Sequence, residues 1–282
     1  MNTLQKKAIR LFRQIIIAVV VAILLWTIVA MLFEEKFIYF PDKYPVGFYA
    51  DGVIIPRLTD CWITTEDGVK IHGWFALADS ALATLVMAHG NAGNLSHRYQ
   101  IIHRLQQIGF NVLMFDYRGY GRSEGSPSEE GIYRDGKAAY DYAKTLAQVD
   151  SQRIILWGTS LGGAVAVDVA KHRSAAGLIL ESTFTSAKDM ADVHYPFMPV
   201  RYMLRTHLNS LDKISDIHIP LLMIHGTKDR IVPIQLGKNL FAAANEPKEF
   251  YEIAEADHND TYFIGGSEYL QRILDFAHHI KS

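Results

Sequence analysis

From Ile15 to Phe33 the chain is apolar at every position except Thr27. A helix of that length spans about 28 Å, close to the hydrocarbon thickness of a bilayer. Beyond about Leu58 the pattern changes to short runs suited to strands and amphipathic runs suited to helices. Trp62–Thr65 and Val69–Phe75 flank Glu66-Asp67-Gly68, a hairpin turn signal. Ala83–Ala88 is continuously apolar, as a strand covered on both faces requires. A helix is predicted over about 96–108, then a strand over Asn111–Phe115. Ser128 with Glu129 and Glu130 caps a helix running to about Ala147. Further strands are predicted at Arg153–Trp157, Gly177–Glu181, Leu221–His225 and Phe250–Ile253, with a helix over Gly163–Lys171 and another at the C-terminus. Strands alternating with helices at this spacing imply right-handed crossovers and a mainly parallel central sheet flanked by helices, the α/β class.

The long apolar run divides the chain. A basic tail is expected over 1–14, a transmembrane anchor over 15–33, a juxtamembrane linker over 34–56 and a catalytic domain over 57–282. A signal peptide is the competing reading, but its apolar core is normally about 7–15 residues and ends in a small-x-small cleavage site. Here the run ends in Met31-Leu32-Phe33-Glu34-Glu35. Lys6, Lys7, Arg10 and Arg13 precede it, and Glu34, Glu35 and Lys36 follow. The positive-inside bias then puts the N-terminus in the cytoplasm and the domain outside it, in the periplasm if the source is bacterial. Phe37, Tyr39, Phe40 and Tyr44 cluster around Pro41, either as an aromatic belt at the interface or as packing between linker and domain.

Composition narrows the function classes. Charged residues make up 21% and the net charge is −2, which gives no electrostatic footprint for nucleic acid. Cys61 is the single cysteine, so an intramolecular disulfide is excluded, and its place in a strand predicts a buried thiol. There is no zinc spacing and no Walker or Rossmann glycine loop, so neither a metal nor an organic cofactor is expected. Asn94-Leu95-Ser96 and Asn259-Asp260-Thr261 are glycosylation sequons, and glycans there would obstruct the candidate site described next.

Gly158-Thr159-Ser160-Leu161-Gly162 lies between a predicted strand and a predicted helix. That setting lifts a serine hydroxyl off the sheet and puts unpaired helical N–H groups behind it. Acyl transfer also needs a second N–H donor for the oxyanion, a base and an acid. His89-Gly90-Asn91 follows the strand Ala83–Ala88, which makes Asn91 the expected second donor beside Leu161. Asp229 lies in the loop after Leu221–His225, and His258 in the loop after Phe250–Ile253. The stretch from about 182 to 219 fits no strand–helix unit and reads as a small lid. Its aromatics and methionine make Tyr195, Phe197, Met198 and Tyr202 candidate substrate contacts.

Ser160, Asp229 and His258 in that order, with Phe37-Ile38-Tyr39-Phe40-Pro41, His89-Gly90-Asn91-Ala92-Gly93-Asn94, Asp116-Tyr117-Arg118-Gly119-Tyr120-Gly121 and Gly226-Thr227-Lys228-Asp229, carry a resemblance. The chain resembles a membrane-anchored α/β-hydrolase subfamily, the abhydrolase-domain serine hydrolases and their bacterial homologues. The resemblance implies an α/β-hydrolase fold with a lid insertion and a serine hydrolase acting on a small acyl or lipid-like substrate. Some eukaryotic relatives remove palmitoyl groups in the cytosol, reaching the membrane through lipidated cysteines, and that role does not carry over to a chain with this anchor. Ester or thioester hydrolysis is the expected activity. Amide hydrolysis and a non-catalytic tethered binding protein are the alternatives, and the oligomeric state is left open.

Overall fold

A computed structural model describes residues 3–49 and 55–280. Residues 1–2 of the basic tail and 50–54 of the linker lie outside the described residues. Eight strands form one sheet: β1 (Leu58–Thr64), β2 (Lys70–Ala76), β3 (Ala83–Ala88), β4 (Phe110–Phe115), β5 (Ile154–Thr159), β6 (Gly177–Glu181), β7 (Leu221–Gly226) and β8 (Lys248–Ile253). Their spatial order is β1-β2-β4-β3-β5-β6-β7-β8. Only the β1–β2 and β2–β4 pairs are antiparallel, and the other pairs are parallel.

The helices are α1 (Thr3–Leu32), α2 (Glu34–Ile38), α3 (Tyr99–Gln107), α4 (Glu129–Thr145), α5 (Leu161–His172), α6 (Ala187–His194), α7 (Leu211–Ile214), α8 (Ile234–Ala243) and α9 (Thr261–His279). Strand residues alternate between the two faces, as a period of two demands. Ile154 and Leu156 of β5 point to a core shared with Ile132 and Tyr140 of α4, Val165 of α5 and Leu240 of α8. Ile155 and Trp157 point the other way, to Leu105 of α3 and Tyr269 and Ile273 of α9. Every residue of β3 and β4 is buried, whereas the edge strand β1 alternates. Cys61 is a buried free thiol. The expected cap of α4 is present: the Ser128 hydroxyl accepts the Gly131 N–H at 3.2 Å.

Two features place the site. The parallel strands deliver the loops after β3, β5, β7 and β8 to one side of the sheet, where ligands of open α/β sheets bind. The segment between β6 and β7 crosses that side as α6, a 3₁₀ turn (Pro199–Tyr202) and α7. At the other extreme, α1 carries its apolar residues exposed, and Gln5–Val29 is long and apolar enough to cross a membrane. The helix is continuous from Thr3, so most of the basic tail is helical along with the apolar run.

The linker packs rather than floats. Phe40–Pro41 pairs in parallel with Ala92–Gly93, and the Tyr44 N–H donates to Gly121 O at 2.8 Å. Tyr39 is buried in the domain core, while Phe37, Phe40 and Tyr44 are exposed.

Candidate active site

Ser160 has φ 55° and ψ −117° at the junction of β5 and α5. Such a backbone costs a non-glycine residue about 1–3 kcal/mol and persists only where its surroundings over-determine it. Three hydrogen bonds do so here. The Ser160 N–H donates to Glu181 O at 2.8 Å, and its carbonyl accepts from Gly163 N and the Thr183 hydroxyl, each at 2.9 Å. The flanking glycines are obligatory on steric grounds. A Cβ on Gly158 would stand 2.2 Å from Gly162 O, and one on Gly162 only 1.9 Å from Ala88 O.

Asp229 and His258 are in contact. His258 Nδ1 lies 2.8 Å from Asp229 Oδ2, while Asp229 Oδ1 accepts the N–H groups of Ile231 (2.9 Å) and Val232 (2.7 Å). Burial works to raise the Asp229 pKa, but hydrogen bonds from His225 and His258 outweigh it and hold the carboxyl well below the usual range. An ionised carboxylate accepts the Nδ1 proton and leaves His258 Nε2 with a free lone pair. His225, fully buried, stands 3.3 Å from Asp229 Oδ2 and also bonds Val232 O. Asp257 accepts the Arg230 N–H at 3.0 Å and its Nε at 2.7 Å, which ties the loop carrying His258 to the loop carrying Asp229.

Ser160, Leu161, Asn91 and His258 share the wall of one cavity of about 1190 Å³. The loop after β3 lies alongside the serine: a Cβ on Gly90 would be 3.6 Å from Ser160 Cβ. The Asn91 side chain is committed elsewhere. Its Oδ1 accepts from Phe40 N (3.3 Å) and the Tyr120 hydroxyl (3.0 Å), and its Nδ2 donates to Ile38 O. Of the lid candidates, Tyr195 and Met198 line the cavity, whereas Phe197 and Tyr202 stand out from it, almost fully exposed. Asn94, the first sequon asparagine, is fully buried and donates to Asp42 O (3.0 Å) and Val46 O (2.6 Å). A glycan there would break the fold before it obstructed the site. Asn259, the second, is exposed at the cavity rim.

Two carboxylates in the wall escaped the sequence reading. Glu181 accepts from Trp157 Nε1 (3.2 Å) and Thr159 Oγ1 (3.1 Å) on one oxygen, and from Thr261 Oγ1 (2.7 Å) and Tyr269 OH (2.9 Å) on the other. Glu34 accepts from Arg205 N (3.0 Å), Thr206 N (2.7 Å) and Arg205 Nε (3.3 Å). A lone acid ending the buried strand Gly177–Glu181 was a usable signal for the first. The second reads in sequence as an ordinary charged flank of the apolar run. Among the described residues no cluster of three or more His, Cys, Asp or Glu is arranged to hold a metal ion.

Residues 79–210 match a family model described as serine aminopeptidase, S33. An uncharacterized protein of Mycobacterium tuberculosis is 39% identical over 246 residues, 86% of each chain. The α/β hydrolase domain-containing protein WAV2 of Arabidopsis thaliana is 35% identical over 271 residues, 86% of this chain and 87% of that one. Among solved structures, an esterase of Pyrococcus furiosus superposes with a TM-score of 0.72 at 23% identity, over 86% of this chain and 98% of that one.

Proposed function

The chain belongs to the α/β hydrolases, and on that premise we propose that it is a membrane-anchored serine hydrolase cleaving ester or thioester bonds of acyl or lipid-like substrates. The observation that carries the reading is Ser160, held at φ 55° over one cavity with a His258 whose Nδ1 is bonded to Asp229. In the proposed reaction the Ser160 hydroxyl oxygen bonds the substrate carbonyl carbon while His258 Nε2 takes its proton. The Leu161 and Asn91 main-chain N–H groups receive the oxyanion. The alcohol or thiol departs with the proton from His258, leaving an acyl-serine. Water, deprotonated by His258, then releases the carboxylic acid and restores the serine. The α1 segment anchors the enzyme, with the basic end in the cytoplasm and the domain outside.

The description of the matching family model favours one second reading, hydrolysis of an N-terminal peptide bond. Such a substrate needs a free carboxylate for its ammonium group. Glu34 and Glu181 are the acids in the cavity wall, and both are saturated by protein donors, which favours the ester reading. The test is turnover of p-nitrophenyl butyrate against aminoacyl p-nitroanilides, with fluorophosphonate labelling. We expect ester turnover, labelling at Ser160, and loss of both in Ser160→Ala. Wild-type turnover by Ser160→Ala would overturn the reading, and faster anilide turnover would replace it with the peptidase.

A further inference from the structure

The cavity over Ser160 is built partly by the N-terminal helix. Trp26 and Met31 of α1 line it, as do Phe37 and Phe40 beyond. Trp26 lies six residues, about 9 Å, before the end of α1, so the wall extends down the apolar helix rather than stopping at its tip. The same end of α1 is fastened to the lid: the Arg205 guanidinium donates to Met31 O at 2.6 Å, and Glu34 holds the N–H groups of Arg205 and Thr206. Further lining comes from the segment between β6 and β7, through Met190, Met198 and Met203. Thioether and aromatic walls fit flexible apolar ligands of varied shape. The volume of about 1190 Å³ exceeds the ~300–1,000 Å³ usual for small-ligand pockets. Trp26, Phe37 and Phe40 nevertheless remain about half or more exposed, at 51%, 65% and 54%. They form a half-exposed apolar face at the level where α1 would leave a bilayer.

We propose that α1 is part of the substrate site, and that the ligand is the acyl ester of a bilayer lipid, reaching Ser160 sideways from the membrane with its chain along Trp26, Met31 and Phe37. A lipid taking this route exchanges one apolar surrounding for another and never exposes its chain to water. The proposal rests on Ser160 as the nucleophile and adds where the substrate comes from and what measures its length.

The test uses the full-length protein in vesicles of di-ether phosphatidylcholine, which offers no ester bond. It compares kcat/KM for p-nitrophenyl dodecanoate with that for the butyrate. Trp26→Ala and Phe37→Ala are each expected to lower the dodecanoate-to-butyrate ratio by about tenfold or more. Phe12→Ala, exposed at the far end of α1, is expected to leave it unchanged. A ratio within about twofold of wild type in both wall variants would overturn the proposal, and so would an equal fall in Phe12→Ala. Wild-type turnover of both esters by Ser160→Ala would instead remove the nucleophile reading beneath it.

Discussion

The Glu34 carboxylate accepts the main-chain N–H of Thr206 at 2.7 Å, across 172 positions of sequence. A residue two places beyond α1 therefore holds the backbone of the segment between β6 and β7. The strap continues at Glu129, which accepts from His207 N at 2.6 Å and Leu208 N at 2.8 Å. Two carboxylates, one from the linker and one from the first turn of α4, thus hold four consecutive N–H groups. This arrangement ties the end of α1 and the first turn of α4 to the segment between β6 and β7.

Removing the first carboxylate should loosen the lid before it unfolds the domain. Glu34→Ala leaves the Arg205 and Thr206 N–H groups without their acceptor, a local cost of about 1–3 kcal/mol. The expected outcome is faster limited proteolysis between about 195 and 210, with the urea midpoint of the domain little changed. Burial raises the Glu34 pKa, but the bonds from Thr206 and Arg205 outweigh it, and the folded value lies below the ordinary 4.5. A carboxyl with a depressed folded pKa stabilises fully above its unfolded value and loses that contribution as pH falls through the folded one. Wild type should therefore gain protease sensitivity in this segment as pH drops below about 4.5. Glu34→Ala should be sensitive already at neutral pH.

Asp229 has the same sign and a second readout. Its folded pKa lies below the unfolded 3.8, so its contribution to stability is present above that value and disappears as pH falls further. Asp229→Asn should show a shallower loss of stability than wild type between about pH 5 and 2, followed by circular dichroism. Its activity should fall much further than its stability. An amide can donate as well as accept, so it no longer enforces the tautomer that leaves His258 Nε2 unprotonated. The expected loss in kcat is about 10⁴-fold at neutral pH, with labelling at Ser160 slowed in parallel. A loss in kcat of less than about tenfold would remove Asp229 from its role.

What could be read beforehand follows from the range of the interactions concerned. β3, β5, β6 and β7 are nearly continuous apolar runs because helices cover both faces of the sheet, and that burial is written locally. The meeting of Asp229 and His258 was also legible, because a parallel sheet sends both loops to one side. The partners of Glu34, Glu181 and Asn91 were not, since they lie 22 to 172 residues away with no local pattern linking them. Phe197 and Tyr202 show the same gap from the other direction. Their composition marks them as apolar contacts, but side-chain direction within the turn decides which aromatics face the cavity, and those two face outward.

Asn91 offers the sharpest separation of backbone from side-chain function. Its side-chain amide spans from the loop beside Ser160 to Ile38 and Phe40 of the linker, with Tyr120 completing the set. Nδ2 is bound to Ile38 O, and the proposed oxyanion donor is the main-chain N–H, which every substitution except proline retains. Asn91→Ala therefore keeps the proposed oxyanion donor and removes only the strut that positions it. Misplacing a reacting group by about 1 Å can cost on the order of 10²-fold in rate, so kcat/KM for p-nitrophenyl butyrate should fall roughly 10–100-fold. Fluorophosphonate should still label Ser160, because the nucleophile and its base are untouched. Asn91→Asp should fare no better than alanine, since a carboxylate oxygen would face the Ile38 carbonyl it replaces a donor to. Wild-type kcat/KM in both variants would mean that the loop holds its position without the linker, and that Asn91 serves the site through its main chain alone.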